Sequence, residues 1–276
     1  MLRKMEHHSS FRRIAIAQWR PSNDGLIYGH MAFDVTDAMK FLAEQKAKHD
    51  QGISVGVLVG RAVALGIAAM PEINGRVIWN QIYLKDSVDV YFQVDIEGGG
   101  DLAGTLVENA DKKSHHVISN ELRSKAKDIR EGRDEQYEKT QKGGLFRKLP
   151  IPALRLLLKV YGWLLNNLGI SGKLIGANEE DPFGSVMVTN VGGFGIEIGY
   201  APLVPWTRVP MVVTVSKPEQ QPVVRDGEIV IRTILNVSAT FDHRVMDGAH
   251  IGTFTRIVRQ NIEHPQEIFD PEPADR

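Results

Sequence analysis

Cysteine is absent from all 276 residues of the chain. That absence excludes disulfides, thiolate metal sites and a cysteine nucleophile together, so any thiol chemistry must use a thiol carried by a substrate. An excess of charge of either sign is also lacking, with 33 Lys and Arg against 34 Asp and Glu. No global field would recruit nucleic acid or an acidic surface, and no nucleic-acid partner is expected. The basic start, MLRKMEHHSSFRRIAIAQW, has no sustained apolar run before a small-residue cleavage site. It does not read as a secretory signal, and a cytoplasmic location is expected.

What is present is an apolar fraction of 42%, enough for a substantial core. Residues 34–49 open with Asp and Thr as caps and carry Met39, Phe41 and Leu42 among charges, which predicts an amphipathic helix. A second helix should follow Ser54 and end at Pro71; it is apolar nearly all round and should be buried. RVIWNQIYL and SVDVYFQVDIE alternate like strands around Lys85 and Asp86 until GGG at 98–100 breaks them. Ser114 can cap the charged helix HHVISNELRSKAKDIREG. Later, SVMVTNVGGFG, VPMVVTVSK and EIVIRTILNVSATF read as strands rich in Val, Ile and Thr. GAHIGTFTRIVRQNIEHP forms a last helix that finishes at Pro265. Such interleaving predicts a single mixed α/β domain over residues 1–276.

A helical, hydrophobic excursion interrupts it at about residues 134–182. In ALRLLLKVYGWLLNNLG, Leu154, Leu157, Leu158, Tyr161, Leu165 and Leu168 make one helical stripe, and Arg155, Lys159, Gly162 and Asn166 a narrow opposite one. The segment is too short and too charged to be read as a membrane span.

In FDHRVMDG, His243 falls where the strand ILNVSATF should end, just before Gly248 opens the last helix. Strand ends are where a rigid scaffold presents reactive groups. An imidazole there can accept a proton near neutral pH and return it. The alternative is a histidine bonded within a turn, with Asp247 serving as an ordinary helix cap.

SATFDHRVMDGAHIGTF resembles the signature of the 2-oxo acid dehydrogenase acyltransferases, the dihydrolipoamide acyltransferase components whose catalytic domain is related to chloramphenicol acetyltransferase. Ser238, Asp242, His243, Arg244, Asp247 and Gly248 stand at the positions of the family's S-x-S-x-D-H-R-x-x-D-G. PEINGR is similar to its Pro-x-x-Asn segment, VTNVGGFG to its T-I-S/T-N-x-G strand and turn, and PVVRDGEI to its P-V-V-x-D-G.

The resemblance implies a chloramphenicol acetyltransferase-like two-layer α/β fold with a mixed sheet. It also implies acyl transfer between coenzyme A and a thiol such as a dihydrolipoyl group. His243 would be the general base and Thr189 the oxyanion donor, although Thr189 alone also reads as an ordinary strand residue. Asp247 would anchor the histidine loop through a salt bridge, for which Arg12 and Arg13 are candidate partners. Asn190, Gly248 and Ser238 would belong to the coenzyme A site. Asp242, on the opposite strand face from His243, is left out of the chemistry. No metal is expected. A homotrimer is implied, with His243 of one chain facing Thr189 of the next.

The chain departs from the family in three ways. It begins almost at the catalytic domain, without lipoyl or subunit-binding domains, so a lipoyl group would have to come from another protein. Trp206 and Thr207 replace part of a P-P-Q-x-A stretch. The excursion, preceded by Lys142, Arg147 and Lys148, either packs on the domain or trimer, lies on an anionic membrane as a peripheral anchor, or uses residues 142–168 to dock a partner or cover a hydrophobic substrate. Two rival functions remain open: a non-catalytic trimeric scaffold or membrane-associated assembly protein, and acyl transfer to a non-lipoyl acceptor.

Overall fold

The structure is a computed structural model and describes residues 25–49, 52–95, 102–131, 133, 151–175 and 181–268. In chain order it contains β1 (Leu26–Asp34), α1 (Thr36–His49), α2 (Val55–Ala68), β2 (Gly75–Ile78), β3 (Gln81–Leu84), β4 (Val90–Asp95), β5 (Leu102–Val107) and α3 (His115–Arg130). It continues with α4 (Ile151–Asn167), β6 (Val186–Asn190), β7 (Met211–Val215), β8 (Glu219–Arg225), β9 (Glu228–Asp242) and α5 (Gly248–Glu263). Seven strands make one sheet, ordered β1-β9-β7-β6-β4-β5, with β8 paired to β9, while β2 and β3 pair apart from it. The β4–β6 and β6–β7 pairs are parallel and the other pairs antiparallel. The expected mixed sheet is therefore present.

Alternation along β9 sorts its side chains between two faces. Leu235, Val237, Ala239 and Phe241 enter the main core with Val57, Leu58, Phe254 and Val258 of the helix layer. Fully burying each larger aliphatic or aromatic side chain is worth about 1.5–3 kcal/mol. Asn236, Ser238, Thr240 and Asp242 take the other face, where Met187 and Val212 pack under Phe183, Ala201, Leu203 and Val204. Helix α2 is buried on nearly all sides, as its composition predicts; Gly60 lets the Phe92 ring lie where a Cβ would stand.

The helix starts follow the predicted caps. Asp34 Oδ1 accepts from the Thr36 hydroxyl (2.7 Å) and backbone N–H (3.2 Å), and the Ser54 and Ser114 hydroxyls accept from Val57 and Val117 N–H groups. Two turns escaped the reading of the sequence. RVIWNQIYL is a hairpin, because Trp79 and Asn80 both take positive φ, 50° and 61°. Asp226 and Gly227, with φ of 51° and 86°, likewise turn β8 into β9. Positive φ at both central residues suits a two-residue hairpin loop. The GGG break lies outside the described residues.

Helix α4 docks by a face that joins one edge of its predicted apolar stripe to Gly162 and Asn166: Leu157, Leu158 and Tyr161 are half-buried, while Lys159 of the predicted opposite stripe is exposed. Gly162 and Asn166 are buried, while Leu156, Val160, Trp163 and Leu168 are exposed; Leu165 alone of the predicted stripe is fully buried. A Cβ on Gly162 would stand 2.5 Å from the Trp206 carbonyl oxygen, so glycine lets the helix backbone approach. Asn166 Nδ2 donates to the carbonyls of Gly162 (2.8 Å) and Trp206 (3.1 Å), and its Oδ1 accepts from Arg76 (3.2 Å). Arg76 also donates to Asp181 (2.7 Å) and Gly184 O (2.7 Å), and Lys85 approaches Asp181 at 2.5 Å. A close backbone approach at Gly162 and the hydrogen bonds of Asn166 thus turn the helix beyond the face that apolar patterning alone marks. The side chains of Leu154 and Arg155, and residues Lys142, Arg147 and Lys148, lie outside the described set. Among the described residues no helix is long and apolar enough to cross a membrane.

Candidate active site

The end of β9 is fixed from two sides. Asp242 stands in register with Leu26 of β1, and its N–H donates to Pro210 O at 2.9 Å. Its carboxylate receives the Arg244 guanidinium (2.6 and 2.9 Å) and the Arg244 backbone N–H (3.0 Å). The chain therefore turns sharply at residues 243–245, and Val245 and Met246 drop back into the core. His243 is left exposed on the turn, with its N–H on Gly25 O at 2.6 Å.

Asp247 caps α5. Its Oδ1 accepts from the N–H groups of Ala249 (2.9 Å) and His250 (3.1 Å) and lies 2.8 Å from His250 Nδ1. His250 reaches back to the Asp247 N–H at 3.3 Å, completing a capping box. The His250 backbone N–H, followed by the imidazole, holds the Asp247 carboxyl below the usual carboxylate value. The candidate salt-bridge partners Arg12 and Arg13 lie outside the described residues. Gly248 opens the helix, and a Cβ there would meet nothing within 4 Å.

Thr189 occupies a different part of the sheet. It is in register with Gln93 of β4 and Thr214 of β7, and Thr214 with Ser238 of β9. The three hydroxyl side chains form a row on the face away from α2 and α5. Thr189, Thr214 and Ser238 are 8%, 2% and 1% exposed, and the hydroxyls of Thr214 and Ser238 have no hydrogen-bond partner. Asn190 shapes the following turn by accepting from Gly192 N–H at 2.9 Å.

Within one chain the predicted residues fall into two groups. His243, Asp247 and Gly248 share one end of the sheet; Thr189, Asn190 and Ser238 lie elsewhere. Ser238 is five residues before His243, and two strand spacings separate β9 from β6. The Thr189–His243 separation is therefore about 20 Å. Sequence reasoning missed Thr214, which period-two alternation in MVVTV puts on the Thr189 face once the strand register is known. Among the described residues no three His, Asp or Glu side chains gather as a metal site.

A family model described as 2-oxoacid dehydrogenases acyltransferase (catalytic domain) matches residues 11–146 and 175–269. The interval between the matched segments contains α4. The dihydrolipoyllysine-residue acetyltransferase component of the pyruvate dehydrogenase complex of Zymomonas mobilis is 24% identical over 266 residues, covering 95% of this chain and 50% of that protein. The chain spans half or less of the length of the curated relatives it matches. A probable dihydrolipoamide acetyltransferase of Listeria monocytogenes superposes with a TM-score of 0.65 at 16% identity, covering 99% of this chain and 98% of that one. The dihydrolipoamide acetyltransferase of Azotobacter vinelandii gives 0.63 at 20% identity, covering 89% and 84%. These two likenesses establish the fold. Taken with the family match along most of its length, they identify the chain as a member of the 2-oxoacid dehydrogenases acyltransferase family, matched over the catalytic domain.

Proposed function

We propose that the protein moves an acyl group between coenzyme A and a thiol acceptor of the dihydrolipoyl type, at a site built between two copies of the chain. The observation that carries this reading is the exposure of His243 on a turn locked by Asp242, Arg244 and the Gly25 carbonyl. His243 takes the proton from the attacking thiol, and the sulfur adds to the carbonyl carbon of the acyl thioester. The resulting oxyanion accepts a hydrogen bond from the Thr189 hydroxyl. On collapse the carbon–sulfur bond to the departing thiol breaks, and His243 returns the proton to that sulfur. The substrate supplies the nucleophile, which suits a chain without cysteine.

The separation of about 20 Å between Thr189 and His243 in one chain supports a shared site, with His243 from one copy and Thr189 from the next; a closed homotrimer has this head-to-tail arrangement. Asp247 acts by fixing the start of α5 and so the exit of the histidine turn. Asn190, Gly248 and Ser238 belong to the coenzyme A side. The Azotobacter vinelandii structure concerns the roles of a serine, a histidine and an asparagine in the catalytic mechanism of that enzyme. The first two are the residue types this reading gives to Thr189, as a hydroxyl, and to His243.

The test is coenzyme A-dependent acyl transfer by purified protein to dihydrolipoamide and to a separate lipoyl domain. His243→Ala should lower turnover by about a hundredfold or more while oligomer size and melting temperature stay at wild-type values. Full turnover in that variant would reject the assignment, and silence toward both acceptors by the wild type would reject the dihydrolipoyl reading.

A further inference from the structure

Arg208 sits at the same end of the sheet as the histidine turn. It lies two residues before Pro210, whose carbonyl holds Asp242, and Arg244 lies two residues after Asp242. Arg76 completes a group of three guanidiniums there. Two of them have carboxylate partners: Arg244 pairs with Asp242 at 2.6 Å and Arg76 with Asp181 at 2.7 Å. Lys85 also lies on Asp181 and on Asp89, at 2.5 and 3.4 Å. Among the described residues Arg208 has no carboxylate partner. Its Nη1 donates to Val77 O (3.0 Å) and its Nη2 to Asn167 Oδ1 (2.5 Å), both neutral acceptors.

Burial, then the nearness of Arg244 and Arg76, depress the basicity of Arg208 below its usual value. A partly desolvated guanidinium beside two others is costly unless a negative charge answers it. The backbone of Arg208 is itself held at a positive φ of 54°, so a local strain is retained to aim this side chain. Its planar fork suits a carboxylate or phosphate rather than a neutral group.

We propose that Arg208, with Arg244 beside it, forms an anion subsite at the histidine end of the sheet that takes a carboxylate or phosphate oxygen of the substrate. The subsite rests on the acyl-transfer reading for its use, though not for its ability to bind an anion. Two parts of one substrate could supply the charge: a carboxylate at the far end of the acyl chain, or the ribose 3′-phosphate of coenzyme A. Because Asn167 belongs to α4, the arginine also ties this helix to the edge of the site. The interval unmatched by the family model thus touches the residue that would select the substrate's charge.

The binding arm uses the full chain, with inorganic phosphate and succinate titrated at constant ionic strength and read by thermal shift and calorimetry. Wild type should show saturable binding of at least one of them. Arg208→Gln, whose amide can still donate to a neighbouring carbonyl, should weaken that binding by about tenfold or more. Arg244→Gln should weaken it in the same direction. Equal anion binding in wild type and both variants, each with an unchanged melting temperature without anion, would overturn the proposal; so would no binding of either anion by wild type. If Arg208→Gln melts lower on its own, Arg208→Lys decides: the charge without the fork should bind more weakly than wild type, and wild-type binding by a folded lysine variant overturns the fork.

The turnover arm separates the sources. A loss confined to succinyl-coenzyme A, with acetyl-coenzyme A unaffected, assigns the subsite to the acyl carboxylate. An equal loss with both donors, abolished when dephospho-coenzyme A is used, assigns it to a phosphate. Losses that are equal for both donors and persist with dephospho-coenzyme A overturn a charge-selecting role. Arg208-dependent anion binding by a chain with no transferase activity would leave the subsite standing and reject the acyl-transfer reading instead.

Discussion

Thr189 lies level with Ser238 in the sheet, and His243 follows Ser238 five residues later at the far end of β9. If the site is shared between copies, two inactive variants should complement. Chains carrying His243→Ala and chains carrying Thr189→Val, unfolded and refolded together in equal amounts, should recover activity. Random assembly joins an intact histidine to an intact threonine in about one site in four, so roughly a quarter of wild-type turnover is expected. Refolded separately, Thr189→Val alone should retain about a hundredth or less of the rate. A mixture no more active than the mean of its components would show that both residues act within one chain or that one does not act.

The capping carboxylate of Asp247 gives a pH signature with a definite sign. Its folded-state pKa lies below the ordinary value of 3.8, chiefly through the His250 backbone N–H. A depressed carboxylate contributes stability that is present above its unfolded pKa and disappears as pH falls through the folded one. Asn at this position keeps a cap acceptor without the charge. Asp247→Asn should therefore melt slightly below wild type at neutral pH, and the gap should close below about pH 4. Asp247→Ala should melt lower than either at neutral pH. Thermal melts across pH 2.5–7 check both, and a gap that widens on acidification contradicts the capping role.

Much of this architecture is legible in the residues. Ser54, Ser114 and the Asp34–Thr36 pair mark helix starts because a side-chain oxygen satisfies an N–H that the first turn leaves open. The histidine turn is equally local: Asp242, His243 and Arg244 are consecutive. What the sequence does not display depends on register and on the approach of distant backbones. Trp79–Asn80 turns a chain that composition alone would extend. The row from Thr189 through Thr214 to Ser238 exists only once three strands are aligned. Nothing within ALRLLLKVYGWLLNNLG announces that Trp206 waits for its glycine.

That row offers a comparison between two threonines on one sheet face. The Thr240 hydroxyl donates to Ala201 O at 2.7 Å, whereas the Thr214 hydroxyl is buried with no partner. Thr240→Val removes a bond and leaves a carbonyl unsatisfied, for a loss of about 1–3 kcal/mol. Thr214→Val removes only an unpaired polar atom and should be neutral or stabilising. Chemical denaturation of the two variants measures the contrast. An equal loss in both would mean that the Thr214 hydroxyl is satisfied by an ordered water.

The docking of α4 turns on one missing side chain. Gly162 lies against Trp206, and an added methyl would stand 2.5 Å from its carbonyl oxygen and 3.0 Å from its Cβ. The obstacle is backbone, which yields less readily than a side chain tip. Helix propensity favours alanine over glycine by about 1 kcal/mol, so a free surface helix would be stabilised by Gly162→Ala. Here overpacking should win, with a net loss of about 1–3 kcal/mol as α4 is pushed off the domain and the bonds of Asn166 to Arg76 and Trp206 stretch. The Trp79 and Trp163 rings, edge to face at 6.3 Å, provide the readout, because one belongs to the β2–β3 turn and the other to α4. Gly162→Ala should lower the melting temperature and shift tryptophan emission to the red. An alanine variant that melts higher with unchanged emission would mean that α4 does not rest on Trp206 in solution, and that its exposed leucines are not the outward face.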